Sequence, residues 1–115
     1  MGVRTEETAT EMTVWLSGEL DHHAARLMRE QIDNAIARST VKTVRLDFSG
    51  VGFMDSSGIG LIMGRYRLML SRGGRLLVVG VSERLKRVMK LAGLERLPVW
   101  EEAARNEKKQ GAYKR

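Results

Sequence analysis

The stretch that decides the fold is residues 53–64, which read FMDSSGIGLIMG. It follows a β-rich run, VRLDF at residues 44–48, and it opens a segment whose apolar residues take helical spacing. Aspartate and serine are residue types that cap the first turn of a helix. We therefore predict a strand, a loop over residues 49–57 and a helix. The helix stripe consists of Ile59, Ile62, Met63, Tyr66, Met69 and Leu70.

The loop ends in Asp55, Ser56 and Ser57, which places two hydroxyl groups at a helix N-terminus. Such an end favours an anion, because backbone N–H groups and the helix dipole both point towards it. A phosphate on one serine would add a charge of about −1.5 to −2 beside Asp55. The residues alone leave two interpretations open: a serine switch that controls protein docking, and a purely structural N-cap cluster.

The rest of the chain alternates strands and helices. Residues 2–8 and 12–18 predict an N-terminal hairpin, and Asp21 is expected to cap the first helix, residues 23–38. The order predicts an α/β fold, in which a mixed β-sheet has an antiparallel N-terminal hairpin and parallel inner strands. About four α-helices are expected to pack on it. The later elements are a strand at 76–79, a helix capped by Ser82, an edge strand at 97–100 and a helix at 101–109.

Parallel neighbours end at the same edge of a sheet, so the loop from Gly18 to His22 is expected beside the loop from Asp55 to Ser57. We expect one domain over residues 1–110 and a basic C-terminal tail over residues 111–115.

Composition narrows the function classes. The chain of 115 residues has no cysteine and no apolar run of membrane-spanning length, which predicts a cytoplasmic protein without a membrane partner. The charge is uneven: residues 1–64 carry six basic and nine acidic side chains, whereas residues 65–115 carry fourteen and five. This basic half leaves a nucleic-acid-binding domain as an alternative. We prefer a solvated helix face without direct nucleic-acid binding, because Arg65, Arg67 and Arg72 are interleaved at helical spacing.

The sequence gives little support for catalysis. Gly58, Gly60 and Gly64 form a loose dinucleotide fingerprint, but the acidic residue expected about 20 positions later is missing at Val79, and a six-residue loop replaces the tight turn. Adjacent His22 and His23 would point in different directions, so they predict no metal site. We expect no catalytic residue, no metal site and no cofactor of the protein's own.

Three motifs together carry a resemblance to a known family: FMDSSGIG at residues 53–60, GELDHH at residues 18–23, and Gly73-Gly74. This combination closely resembles the STAS-domain anti-sigma-factor antagonists, over residues 10–97. The two histidines after GELD are most similar to the anti-anti-sigma factors that control the sporulation sigma factor, sigma F, of endospore-forming bacteria. The resemblance implies a STAS fold and a non-enzymatic role. The unphosphorylated protein would bind an anti-sigma factor that is also a serine kinase, and so release the sigma factor.

The resemblance also implies roles for single residues. Phosphorylation of Ser56 would end the binding, a PP2C-type phosphatase would restore it, and ATP and magnesium would belong to the kinase. A STAS scaffold or sensor module of another stress pathway is the nearer alternative. The residues implied in partner binding are Asp21, His22, Met54, Asp55, Ser57, Gly58 and Gly60.

Overall fold

A four-stranded mixed sheet organises the computed structural model, which describes residues 2–100. The strands lie in the order β1-β2-β3-β4. β1 pairs with β2 antiparallel, whereas the β2–β3 and β3–β4 pairs are parallel, so the predicted sheet is confirmed. The bounds are β1 (Gly2–Glu7), β2 (Glu11–Leu20), β3 (Thr43–Met54) and β4 (Arg75–Val79).

Three α-helices connect and cover the strands in the described range: α1 (His22–Ala37), α2 (Ser56–Ser71) and α3 (Glu83–Leu91). A 3₁₀ turn follows at Leu94–Arg96. The predicted fourth helix, at 101–109, and the basic tail at 111–115 lie outside the described residues. The predicted strand at 97–100 is reduced to one parallel bridge between Trp100 and Val78 of β4. None of the helices within residues 2–100 has the length and apolar character needed to cross a bilayer.

One continuous core joins the sheet to all three helices. Alternate residues of each inner strand face it, as the period of two in a strand requires. Each fully buried aliphatic side chain contributes about 1.5–3 kcal/mol to the stability of the fold. The cluster therefore holds α1 and α2, the helices that connect the parallel strands, against the sheet. Its members include Met12, Val14 and Leu16 of β2, Val44, Leu46 and Phe48 of β3, Met28 and Ile32 of α1, and Leu61, Ile62 and Met69 of α2.

The prediction of a loop over residues 49–57 is wrong for most of its length, because β3 continues to Met54. Gly50 pairs with Ser17 and Val51 with Gly18, after a shift in the register of the two strands. A Cβ at Gly50 would lie 2.8 Å from the carbonyl oxygen of Leu16. Gly50, which lies in the predicted loop, therefore allows the two strands to approach each other closely.

The buried face of α2 is rotated relative to the predicted stripe. Ile62 and Met69 are buried as expected, but Leu70 is 53% exposed. Leu61 and Arg65 take places on the buried face instead. The predicted solvated position of Arg65 is therefore wrong, and the reason is a partner on α1 that is described below.

Gly58 sets how closely α2 approaches the sheet. A Cβ at this position would lie 2.1 Å from Met54 Cγ and 2.4 Å from Met54 Sδ. Gly64, six residues further along the same helix, has open space instead, because a Cβ there would meet nothing within 4 Å.

We predict that Gly58→Ala lowers the free energy of unfolding by about 1–3 kcal/mol, because the added methyl group displaces Met54. Gly64→Ala is the matched control, and it is expected to raise stability by up to about 1 kcal/mol, since alanine is the better helix former. Urea denaturation followed by circular dichroism measures both. Equal stability of the two variants would contradict the close packing at Gly58.

Candidate functional site

The site is built where β2 and β3 end side by side. Leu20, the last residue of β2, pairs with Met54, the last residue of β3. The backbone N–H of Asp55 then donates to the carbonyl oxygen of Leu20 at 3.4 Å. The loops that leave these strands are therefore neighbours, and this confirms the predicted juxtaposition of Asp21 with the segment from Asp55 to Ser57.

Each of the two loops consists of a single aspartate, which caps the helix that follows it. Asp21 Oδ1 accepts a hydrogen bond from the Ala24 N–H at 2.9 Å, which starts α1. Asp55 Oδ1 accepts one from the Ser57 N–H at 2.8 Å, which starts α2. The helices thus begin directly after the strands, with a carboxylate at each positive end.

The two serines of α2 have different surroundings. Ser56 is the first residue of the helix and is exposed, whereas Ser57 is half-buried. Successive residues of a helix point about 100° apart, so one hydroxyl faces solvent while the other turns towards α1. Ser57 indeed lines a groove together with His22.

This α1–α2 groove, of about 260 Å³, runs between the N-terminal halves of the two helices. Ala25 and Leu61, both buried, form its floor. Gly60 lies on the α2 side and is exposed without a side chain. The groove therefore brings together three of the predicted contact residues, His22, Ser57 and Gly60. It also adds two residues that sequence reasoning left out of the site, Arg26 and Arg29.

Two of the predicted contact residues lie below this surface. Met54 is 4% exposed and Gly58 is buried against it. At this burial, Met54 and Gly58 shape the loop and set the position of α2, and other residues form the surface. Asp21 and Gly60 are exposed, and Asp55 is partly exposed.

A partly buried ion pair ties the two helices together. Arg65 Nε of α2 lies 2.9 Å from Asp33 Oδ1 of α1, although the angle is not that of a hydrogen bond. The Arg65 side chain is 8% exposed and that of Asp33 is 38% exposed. Arg65 Nη1 is buried without a hydrogen-bond partner among the described residues.

The environment of Arg65 acts on its charge in opposite ways. Burial lowers the pKa of the Arg65 guanidinium, Asp33 opposes this shift, and the nearby Arg29 adds to it. The sequence did contain a signal for the buried position, because Arg65 follows Leu61 by four residues and Ile62 by three.

One argument used against a dinucleotide site is wrong, since β3 runs to Met54 and the turn into α2 is tight. The other argument stands, because β4 ends at Val79 without an acidic residue. The absence of a cofactor stays a prediction. Over residues 2–100 the structure groups no three metal-ligating side chains closely enough to hold an ion.

A family comparison agrees with this geometry. The model of the STAS domain matches residues 3–107. The chain belongs to the STAS-domain family. Among STAS relatives, the anti-sigma F factor antagonist of Paenibacillus polymyxa is 40% identical over 91 residues, which cover 78% of each protein. The anti-sigma-B factor antagonist of Bacillus subtilis is 27% identical over 95 residues, 83% of this chain and 85% of that protein.

Solved STAS structures are similar over most of the chain. The anti-sigma factor antagonist SpoIIAA in its unphosphorylated form superposes with a TM-score of 0.75 at 34% identity, over 93% of this chain and 96% of that one. The Bacillus cell fate determinant SpoIIAA in the phosphorylated form gives a TM-score of 0.67 at 34% identity, over 91% and 98%. The STAS fold implied by the sequence motifs is therefore confirmed.

We predict that Asp33→Ala lowers the free energy of unfolding by about 1–3 kcal/mol, because it leaves the buried Arg65 charge without its carboxylate. Glu30→Ala, an exposed change on the same helix, serves as the control and is expected within about 0.5 kcal/mol of the parent protein. The double variant Asp33→Ala/Arg65→Met should be less destabilised than the sum of its two single changes. Additive effects in urea denaturation would mean that the two side chains do not interact.

A second prediction separates the cap of α2 from its charge. Asp55→Ala should cost about 0.5–2 kcal/mol of stability, since the Ser57 N–H loses its acceptor. Asp55→Asn keeps a side-chain oxygen there and should cost less than about 1 kcal/mol. If thermal unfolding gave the same loss for both variants, the hydrogen bond to Ser57 would not be what stabilises the helix start.

Proposed function

We propose that this protein is an anti-sigma factor antagonist that is switched by phosphorylation of Ser56. The unphosphorylated form binds an anti-sigma factor that is also a serine kinase, and the sigma factor is thereby released. Phosphorylation ends the binding, and a PP2C-type phosphatase restores it. The protein acts in the cytoplasm without catalysis of its own, and ATP and magnesium belong to the kinase.

The observation that carries the proposal is the position of Ser56. Its hydroxyl is exposed at the first residue of α2, beside the exposed Asp21 at the start of α1. A kinase reaches Ser56 without local unfolding, whereas Ser57 is half-buried and faces the α1–α2 groove. Accessibility therefore favours Ser56 over Ser57 as the modified residue.

Similarity to named relatives supports sigma F as the sigma factor that the protein controls. Identity to the anti-sigma F factor antagonist of Paenibacillus polymyxa is 40%, against 27% for the anti-sigma-B factor antagonist of Bacillus subtilis. This difference supports sporulation sigma F over the general stress pathway. The existence of SpoIIAA structures in unphosphorylated and phosphorylated forms supports a switch that the fold can tolerate.

The charge of a phosphate is large enough to end binding to the anti-sigma factor. It adds about −1.5 to −2 charges next to Asp55, on a surface that a partner must desolvate. One misplaced charge in an interface costs about 2–5 kcal/mol, which corresponds to roughly 30-fold to several-thousand-fold in affinity. The dipole of α2 stabilises the phosphate on the free protein, so the modified protein stays folded while its docking surface changes.

We predict that Ser56→Asp weakens binding to the sigma F anti-sigma factor of the same organism at least about tenfold, because it places a fixed charge in the interface. Ser56→Ala should bind like the parent protein and should not be phosphorylated by that factor with ATP. Ser57→Ala is the matched control and should still be phosphorylated. Calorimetry measures binding, and mass spectrometry of a tryptic digest locates the phosphate.

Phosphate on Ser57, or unchanged binding by Ser56→Asp, would contradict the proposal. Phosphorylation of Ser56 only by a kinase of a different pathway would favour the scaffold or sensor alternative. Binding of DNA or RNA that weakens steeply as salt rises would favour the nucleic-acid alternative.

A further inference from the structure

The α1–α2 groove has a chemical character that the serine switch alone does not explain. Its α1 wall carries Arg26 and Arg29, which are three residues apart and therefore on the same helix face. Both arginines are exposed. No carboxylate lines the groove, and within residues 2–100 neither arginine has an ion pair. The wall thus presents two uncompensated positive charges.

Three carboxylates near the groove are already engaged. Asp33, one helical turn after Arg29, pairs with the buried Arg65. Asp21 and Asp55 each accept a backbone hydrogen bond at the start of a helix. Glu30, which directly follows Arg29, is exposed and forms no ion pair with either arginine within residues 2–100. None of these four carboxylates lines the groove, so its wall keeps a positive character.

Arg65 supplies a second and independent observation. Its side chain is buried, its Nη1 atom has no hydrogen-bond partner among the described residues, and Arg29 is close enough to disfavour its charge. Arg29 therefore adds a positive charge near a guanidinium that is already buried, and in the described part of the chain the Asp33 carboxylate pairs with Arg65 alone. An anion in the groove would reduce the repulsion between Arg29 and Arg65.

The shape of the groove suits a carboxylate side chain. The buried floor residues, Ala25 and Leu61, are apolar, while the opposite wall offers the Ser57 hydroxyl as a donor. Gly60 has no side chain to obstruct entry. An acidic side chain would place its methylene groups on the floor and its carboxylate against the two guanidinium groups, which are the preferred partners of planar anions.

We infer that the α1–α2 groove binds an acidic side chain of the anti-sigma factor, with Arg26 and Arg29 as the residues that select it. The inference deepens the proposed function and rests on it for the identity of the partner. Ser57 lines the groove and Ser56 is the adjacent residue, about 3.8 Å away between Cα atoms. A phosphate on Ser56 is then within the screening length of about 8–10 Å, so it lowers the positive potential that attracts the acidic segment.

The groove is tested first with a probe of defined charge. We expect acetylated tetraglutamate amide, at low salt, to shift the backbone amide signals of Ala25, Arg29, Ser57 and Gly60 in ¹⁵N-labelled protein. The tetraglutamine peptide should leave them in place. Arg26→Gln/Arg29→Gln should bind tetraglutamate about tenfold more weakly, as the loss of two charge contacts implies.

The matched control is Arg84→Gln/Arg87→Gln, which removes two exposed arginines from α3 and gives the same net charge. It should bind tetraglutamate at the groove like the parent protein. Absence of the groove shifts, equal shifts with tetraglutamine, or equal losses in both double variants would overturn the inference.

The same variants are then titrated with the anti-sigma factor. Arg26→Gln/Arg29→Gln should weaken that binding about tenfold and make it less sensitive to salt, whereas the α3 control should not. If Ser56→Asp weakens binding but the groove variant does not, the inference fails and the proposed function stands. If the parent protein itself does not bind the anti-sigma factor, the proposed function fails, and the peptide titration alone decides whether the groove takes a carboxylate.

Discussion

The parallel pairing of β2 with β3, maintained to the last residue of each strand, is the constraint on which the rest of the site depends. Leu20 and Met54 are register partners, and the hydrogen bond from Asp55 to Leu20 extends the contact by one residue. Two aspartates that are far apart in sequence thereby begin two neighbouring helices. Any shift of one residue in this register would move the exposed serine away from α1 and turn the strand's buried residues towards solvent.

Packing at the start of α2 fixes the position of this helix against the end of β3 and against α1. Gly58 lies so close to Met54 that no side chain fits between them, and the Arg65–Asp33 pair joins the middle of α2 to α1. Buried ion pairs are seldom a large source of net stability, because desolvation offsets much of their attraction. The pair is better understood as fixing the position of one helix against the other, which in turn fixes the width of the α1–α2 groove.

The sequence predicted what depends on local pattern. The caps at Asp21 and Ser82 gave the starts of α1 and α3 within about one residue, whereas α2 starts two residues earlier than the predicted loop over residues 49–57 implied. The parallel order of the inner strands followed from the helices between them. The candidate loop could be located in the same way, because its Asp-Ser-Ser cap is itself a local signal.

Tertiary contacts explain what the sequence did not predict. Residues 49–54 fall within the predicted loop, yet β3 continues through them, and Gly50 is needed there because Leu16 lies against it. Arg65 looked like a solvent-exposed residue until its partner on another helix was known. The groove was missed for the same reason, since Arg26 and Arg29 become part of the site only when α1 lies beside the first turn of α2.

Two adjacent serines at one helix start can have separate roles because a helix turns by about 100° per residue. Ser56 faces solvent, where a kinase has access and a phosphate adds charge without displacing any packed group. Ser57 has its N–H bound to Asp55 and faces the groove, so a phosphate there would have to fit against α1. Ser56 can therefore be modified while α1, α2 and the groove stay in place. The charge of a phosphate on Ser56 would still act on the groove, because Ser56 adjoins Ser57 and the spacing between the two residues is short compared with the screening length.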